Sequence, residues 1–396
     1  MSKKIIIGIT GSIAAFKTIQ FISDLTKEDY EIEVILTEAG SRFVTPVSIQ
    51  ALTKKRVYID VFDDDPGTIT HVDLVKDADA FLVMPASATT IAKLAHGIAD
   101  NMLTAAYLAA TCPKVIAPAM NVHMFENPVT QRNLKQLVDD GALIVDPDVG
   151  LLACGDVGKG KLAKASDVKM ILEYAMSEHP LKGYKVVVSA GPTQEAIDPV
   201  RFISNHSSGK MGYAIAKAAF TLGADVTLVS GQVALSPLPF IKNVSITSAQ
   251  DLYEAMIEEA QDADFIIMSA AVADYTPATT ATEKIKKNDS DLTLSLKKTK
   301  DILYELGQKK PKGQIICGFA METTDLISNA TKKLTKKNAD LIIANSLRTA
   351  GAGFKTDTNI VTIIDQDGIR PLEIMSKDEL GFVILAECLK KREAQS

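Results

Sequence analysis

The sequence predicts the α/β class, built as two doubly wound domains. Three observations carry that prediction. The chain has 396 residues, well over the roughly 150 expected of a single domain. Short β-branched runs alternate with amphipathic stretches, as in parallel strands covered on both faces. The alternation stops at the turn-rich segment His179-Pro180-Leu181-Lys182-Gly183 and then restarts. Domains are therefore expected over 1–178 and 184–396, with 179–183 as linker.

In the first half the expected strands are Ile5–Ile9, Glu33–Thr37, Ala80–Met84, Lys114–Ala117 and Ala142–Val145. Helical patterns separate them at Ala14–Leu25, Thr90–Ala95, Met102–Ala110 and Val129–Val138, and Ser166–Met176 closes the half. In the second half the strands are Lys185–Ser189, Asp225–Ser230, Val244–Thr247, Phe265–Ala270, Gln314–Phe319, Leu341–Ala344 and Ile360–Ile364. Helices are expected at Met211–Leu222, Ala249–Ala260, Ile302–Gly307 and Leu326–Lys337. Both halves are thus Rossmann-like, and such sheets bind ligands beyond the carboxyl ends of their strands.

Composition narrows the function. Hydrophobic residues make up 46% and charged residues 23%, as in a soluble enzyme. The net charge of −6 argues against a general nucleic-acid binder. Apolar runs are strand-sized, below the ~18 residues a membrane span needs. The apolar run after Met1-Ser2-Lys3-Lys4 is too short for a secretory leader. Cys112, Cys154, Cys317 and Cys388 form no CxxC pair and no disulfide framework. A cytoplasmic enzyme with no membrane or nucleic-acid partner is expected.

The first strand runs into Gly8-Ile9-Thr10-Gly11-Ser12-Ile13-Ala14-Ala15. Glycine and small hydroxyls at a strand-to-helix turn make either a phosphate cradle or an ordinary tight turn. Two further strands end alike, in Pro85-Ala86-Ser87-Ala88-Thr89 and in Pro118-Ala119-Met120-Asn121. Such compact loops on one rim suit a flat aromatic cofactor, or are two turns that merely look alike. His71 is one of five histidines and is by default structural. Cys154 lies in Gly150–Gly160, where four glycines in eleven residues describe a mobile flap and not a core element.

Together these motifs resemble the flavin-dependent cysteine decarboxylase family, on its phosphopantothenoylcysteine branch, over residues 1–176. The resemblance implies FMN against Gly11, Ser12, Thr37, Ser87 and Thr89. It implies His71 in the region of the catalytic base, Asn121 on the substrate carboxylate beside Met120 and Ala119, and Cys154 as proton donor. The implied chemistry is sound. A carboxylate next to an ordinary thiol carbon has no electron sink, whereas oxidation of that carbon to a thioaldehyde creates one. Loss of CO₂ then leaves an enethiolate that must be reduced and protonated.

In the second half Ala190-Gly191-Pro192-Thr193-Gln194-Glu195 precedes Asp198-Pro199-Val200-Arg201, and Asn205-His206-Ser207-Ser208-Gly209-Lys210 opens a helix. Ser-Ser-Gly-Lys is a second phosphate-type turn or a capped helix start. From Lys284 to Lys337 thirteen lysines stand against six acids, which suits a triphosphate or a solvated helix face. These runs, with Ala270–Tyr275 and Glu283–Lys287, resemble the CTP-using phosphopantothenate–cysteine ligases over 183–390. The chain as a whole therefore resembles the bifunctional coenzyme A biosynthesis family.

The ligase resemblance implies an acyl-cytidylate formed from CTP and then attacked by the cysteine amine. It implies Asn205 on that intermediate with Arg201 near it. Ala270, Asp274, Lys284, Lys300, Asp301, Ile302, Leu303, Phe319, Lys333 and Lys337 would line the CTP site, with Mg²⁺ held mainly by phosphate oxygens. It also implies a homo-oligomer, a dodecamer of decarboxylase trimers and ligase dimers. One departure stands out. Thr299-Lys300 replaces the Asn-Pro usual in the family before Asp301-Ile302, and loss of the proline is expected to loosen that loop. A nicotinamide oxidoreductase is disfavoured, because neither half has GxGxxG with an acidic residue about twenty positions on. A non-catalytic relative is disfavoured because His71, Asn121 and Cys154 are all present.

Overall fold

The computed structural model describes residues 2–28, 30–62, 69–287, 291–322, 325–346 and 356–395. The chain divides into two compact units, Met1–Ser177 and Glu178–Ser396.

The first unit runs β1 (Lys4–Ile9), α1 (Ala15–Leu25), β2 (Glu31–Leu36), α2 (Glu38–Ser41), α3 (Pro46–Thr53), β3 (Val57–Tyr58), α4 (Thr70–Asp73) and β4 (Ala80–Ala86). It continues through α5 (Ala88–Ala95), α6 (Met102–Ala109), β5 (Lys114–Pro118), α7 (Val122–Glu126), α8 (Pro128–Asp139), β6 (Leu143–Ile144), β7 (Asp148–Leu151), β8 (Val157–Lys161) and α9 (Ala165–Ala175). Six parallel strands lie in the order β3-β2-β1-β4-β5-β6. Ile5, Ile6 and Ile7 are all fully buried, so both faces of β1 are covered, as its unbroken β-branched run requires. Strand order reverses between β1 and β4, where doubly wound sheets open a crevice.

The second unit begins β9 (Lys185–Ala190), β10 (Gln194–Ala196), β11 (Phe202–Ser204), α10 (Lys210–Thr221), β12 (Asp225–Ser230), β13 (Lys242–Ser245), α11 (Ala249–Glu259) and β14 (Phe265–Met268). There follow β15 (Tyr275–Pro277), β16 (Leu296–Lys298), α12 (Ile302–Lys309), β17 (Ile315–Glu322), α13 (Leu326–Lys336) and β18 (Leu341–Ser346). The last elements are β19 (Thr358–Asn359), β20 (Val361–Ile364), β21 (Ile369–Pro371), β22 (Met375–Ser376) and α14 (Lys377–Gln395). Eight strands lie in the order β13-β12-β9-β14-β17-β18-β20-β21, with the reversal between β9 and β14.

Two features depart from the sequence expectation. The expected parallel sheet ends in two antiparallel strands, because β20 runs against β18 and then turns tightly through Asp365–Gly368 into β21. Helix α14 stands where no element was expected. Its Leu380, Ile384, Leu385 and Cys388 are buried against α10, and Gly381 lets the two helices close up. A Cβ on Gly381 would sit 3.0 Å from the Ala214 carbonyl oxygen.

The start of α10 packs harder still. A Cβ on Gly212 would fall 2.5 Å from the Ala190 Cβ and 2.9 Å from the Ser189 carbonyl oxygen, and neither can retreat within the sheet. Gly212→Ala is expected to destabilise the second unit by roughly 1–3 kcal/mol, read as a lower urea midpoint. An unchanged midpoint would show that the helix has room to shift.

Candidate active sites

In the first unit the rim is formed by four adjacent strands. Gly11 and Ser12 follow β1, Thr37 follows β2, Ser87 and Thr89 follow β4, and Ala119–Asn121 follow β5. A buried threonine fixes the middle of the rim. Thr10 Oγ1 donates to the Pro85 carbonyl at 2.6 Å and accepts from the Ser87 N–H at 2.9 Å. Ser87 caps α5 by accepting from the Thr90 N–H, and Thr37 caps α2 by accepting from the Gly40 N–H. Thr89 is exposed and Ser12 half-buried.

The rim fits a flavin mononucleotide. Helix α1 starts with no side-chain cap, leaving its amino end suited to a phosphate. Gly11 is so close to α2 that a Cβ would lie 2.7 Å from that of Ala39. A separate hollow of about 750 Å³, between α1 and the base of the β7–β8 hairpin, is lined by Phe16, Gln20, Met84 and Lys161 among others and by none of the expected flavin residues.

The segment expected to be a mobile flap is an antiparallel hairpin of β7 and β8. Its glycines serve contact more than freedom. A Cβ on Gly158 would lie 2.5 Å from Val122 Cγ2, and one on Gly160 2.4 Å from the Met120 carbonyl oxygen. The Met120 N–H donates to the Gly160 carbonyl at 3.0 Å. Gly155, with φ +91°, makes the tip turn. Strand β8 is thereby held on the loop that carries Asn121.

That contact assembles a cluster. Asn121 Oδ1 accepts from the His123 N–H at 2.8 Å, which fixes the amide orientation. Its Nδ2 donates to Asp156 Oδ2 at 2.6 Å and to Cys154 Sγ at 3.2 Å. The Cys154 thiol donates to the same Asp156 oxygen at 3.4 Å. The amide of Asn121, then the thiol of Cys154, hold the Asp156 carboxyl below its ordinary range, with His123 adding to the effect. Asp156 was not singled out from the sequence, although it stands two residues after Cys154. His71 is not part of the cluster. It lies on α4, with its Nδ1 buried and without a hydrogen-bond partner among the described residues.

In the second unit two hydroxyls fix the rim. The Ala270 N–H donates to Ser189 Oγ at 3.1 Å, and the Ala273 N–H to Thr193 Oγ1 at 3.0 Å. Beyond the strand ends opens a cavity of about 730 Å³. Ala270, Asp274, Lys300, Asp301, Ile302, Leu303, Phe319, Lys333 and Lys337 all line it, as expected of a nucleotide site. Six lysines (Lys210, Lys298, Lys300, Lys333, Lys337 and Lys377) face two aspartates (Asp274 and Asp301) among the lining residues. Burial pushes the Lys337 ammonium down, opposed by Asp274. Burial and then Lys210 push the Lys377 ammonium down, opposed by Asp357. Lys210 is paired with Asp357 at 2.6 Å, and Lys377 donates to the Thr356 carbonyl at 2.7 Å. Lys377 escaped the sequence analysis because it opens a helix that was not expected. Among the described residues no group of three or more His, Cys, Asp or Glu could hold a metal ion.

Lys284 lies outside this lining. Its segment is pinned to the β10–β11 hairpin, with Ile285 N–H on Asp198 Oδ2 at 3.1 Å and Arg201 Nη2 on the Ile285 carbonyl at 2.6 Å. Arg201 therefore fastens a loop, while Asn205 reaches the cavity wall by donating to the Ala271 carbonyl at 3.0 Å. The loop at Thr299-Lys300 is held without a proline. Thr299 Oγ1 donates to the Ala273 carbonyl at 2.7 Å, Lys300 Nζ lies 3.8 Å from the centre of the Tyr253 ring, and Asp301 caps α12.

Comparison with known proteins gives a consistent picture. Residues 1–176 match the flavoprotein family model, and residues 181–391 match that of the DNA/pantothenate metabolism flavoprotein C-terminal domain. The chain is 48% identical over 392 residues to the coenzyme A biosynthesis bifunctional protein CoaBC of Bacillus subtilis, covering 98% of this chain and 96% of that one. It is 39% identical over 399 residues to the CoaBC of Escherichia coli, covering 100% and 98%. It is also 46% identical over 354 residues to a cysteine/cysteine sulfinic acid decarboxylase of an unknown prokaryotic organism, covering 87% and 99%.

The Asp198 side chain has no accessible surface. Burial alone would raise its carboxyl, but backbone N–H groups of Val200, Ile285 and Arg201, with the Arg201 charge, outweigh burial and hold it below its ordinary range. Its stabilising contribution is therefore complete above the unfolded carboxyl's value of about 3.9 and is lost as pH falls through the lower folded value. The urea midpoint of Asp198→Asn should trail that of the parent by a constant gap at neutral pH, and the gap should shrink below about pH 4. A gap that does not depend on pH would contradict this.

Proposed function

This chain belongs to the family of bifunctional coenzyme A biosynthesis proteins, a flavoprotein decarboxylase unit followed by a ligase unit, and from that premise we propose that it makes 4′-phosphopantetheine from 4′-phosphopantothenate, cysteine and CTP. The observation that carries the first half of this proposal is the meeting of Asn121, Cys154 and Asp156 on a hairpin beside the rim. FMN, when bound at the rim, supplies oxidation of the substrate's thiol carbon and its later re-reduction. Gly11 and Ser12 would hold its phosphate at the start of α1, with Thr37, Ser87 and Thr89 around it. Asn121 would seat the substrate carboxylate, with Ala119 and Met120 as its wall. Cys154 Sγ would give its proton to the decarboxylated product, and His71 would act as the base.

In the ligase unit a carboxylate is a poor acyl donor, so activation is the main task. The phosphopantothenate carboxylate would attack the α-phosphate of CTP, releasing pyrophosphate, and the cysteine amine would then displace CMP. The cation excess of the cavity supports a polyphosphate there. Lys337, Lys333 and Lys300 would neutralise phosphate charge, Ala270, Asp274, Asp301–Leu303 and Phe319 would hold the nucleoside, and Mg²⁺ would bridge phosphate oxygens. Asn205 would bind the acyl-cytidylate, with Arg201 fixing the loop before it. Lys284 would act from the pinned segment beyond the cavity wall. Trimeric decarboxylase contacts and dimeric ligase contacts, closing as a dodecamer in the cytoplasm, complete the proposal.

Mass spectrometry of products from 4′-phosphopantothenate, cysteine, CTP and Mg²⁺ tests the whole. Expected are 4′-phosphopantetheine, CMP, pyrophosphate and CO₂, and none of them without CTP. Consumption of free cysteine or cysteine sulfinate instead would favour the activity of the cysteine/cysteine sulfinic acid decarboxylase relative. Cys154→Ser should retain FMN yet release a decarboxylated product still oxidised by two electrons; a normal yield of 4′-phosphopantetheine would remove Cys154 from its role. Asn205→Asp should let the acyl-cytidylate accumulate and slow amide formation, and unchanged ligase turnover would show that Asn205 does not touch it.

A further inference from the structure

The carboxylate seat on Asn121 is already filled by the chain itself. A primary amide has two N–H donors, and both are engaged, one on Asp156 Oδ2 at 2.6 Å and the other on Cys154 Sγ at 3.2 Å. The amide cannot turn over to offer anything else, since its oxygen is held by the His123 N–H at 2.8 Å. An incoming carboxylate can therefore reach these donors only by displacing a partner. Asp156 is the partner that yields. It is itself a carboxylate, so the two would repel at close range, and it stands at the tip of a hairpin whose neighbouring Leu151 and Val157 are 69% and 73% exposed. The base of the hairpin stays fastened meanwhile through Gly158 and Gly160.

We propose that Asp156 is an internal competitor for the substrate's carboxylate, a specificity-determining residue that vacates Asn121 when the carboxylated substrate binds and returns when CO₂ has left. The proposal rests on the decarboxylase role given above to Asn121. Its consequence is an exchange of like for like. The substrate carboxylate replaces a carboxylate, so seating it adds no new ion contact to the amide and its binding stays weak. The product has no such group, so Asp156 reoccupies the amide in the product complex and costs the product nothing. Removing the Asp156 charge should then strengthen binding of carboxylated ligands selectively.

The test uses the flavin-loaded full chain and two thiol-free probes that cannot turn over. One is 4′-phosphopantothenoyl-alanine, which has the carboxylate, and the other is 4′-phosphopantothenoyl-ethylamine, which lacks it. Calorimetric titration gives a dissociation constant for each. Asp156→Asn and Asp156→Ala should each bind the carboxylated probe about tenfold more tightly, leave the other within about twofold, and lower KM for the true substrate. Loss of affinity for both probes alike would mark Asp156 as a structural support of the hairpin and overturn the proposal. An unchanged ratio of the two constants would overturn it as well. If neither probe binds the parent protein, the decarboxylase role of this site falls, and the competitor with it.

Discussion

A hydroxyl at the switch point of each sheet is the interaction on which both sites depend. In the first unit Thr10, at the end of β1, is bonded to both the Pro85 carbonyl and the Ser87 N–H beyond β4. In the second, Ser189 and Thr193 at and after the end of β9 accept from Ala270 and Ala273 beyond β14. These strand pairs are the places where connections leave in opposite directions, and in the second unit the backbone already joins the outgoing loops, with the Ala271 N–H on the Gly191 carbonyl and the Thr193 N–H on the Ala271 carbonyl. In both units a buried side-chain oxygen adds a tie between the loops. It satisfies backbone groups that would otherwise be buried unpaired, and it fixes the separation of two loops that a ligand must bridge.

Close approach then does what hydrogen bonding cannot. Helix α10 sits on the end of β9 because Gly212 has no side chain, and β8 lies on the Asn121 loop because Gly158 and Gly160 have none. In each case a missing Cβ brings polar groups together: the amino end of α10 at the cavity, and Cys154 and Asp156 at Asn121. Gly158 and Gly160 of the hairpin thus set position, and Gly155 at the tip supplies a left-handed backbone.

The fold was legible where one physical signal dominated. Unbroken β-branched runs such as Ile5–Ile9 and Lys185–Ser189 could only be covered strands, and the restart after residue 180 marked a second sheet. Helix α14 was not legible, because Leu380-Gly381-Phe382-Val383-Ile384-Leu385 is a continuous apolar run that a strand explains as well as a helix. With it went Lys377, whose place in the cavity depends on how α14 begins. Rim residues were found through their motifs, since strand ends and turn chemistry are local. Asp156 and Arg201 were harder, since their partners lie 35 and 84 positions away and only the packed chain brings them together. Thr299 shows the same limit in reverse. The replacement of a proline says nothing of the Ala273 carbonyl and the Tyr253 ring that stand beside that loop.

The two sites also solve opposite charge problems. The decarboxylase site must release its carboxylate as neutral CO₂, so a strong fixed cation beside Asn121 would hold the ground state too well. A neutral amide shared with a thiol and a displaceable carboxylate is the weaker receptor that such a reaction needs. In the cavity of the second unit lysines outnumber aspartates, which suits the several negative charges of the triphosphate proposed to bind there. Burial works against the ammonium charge of Lys337 and Lys377, and the carboxylates of Asp274 and Asp357 oppose it. Differential binding is thereby written into the side chains: weak where charge must leave, strong where charge must be held.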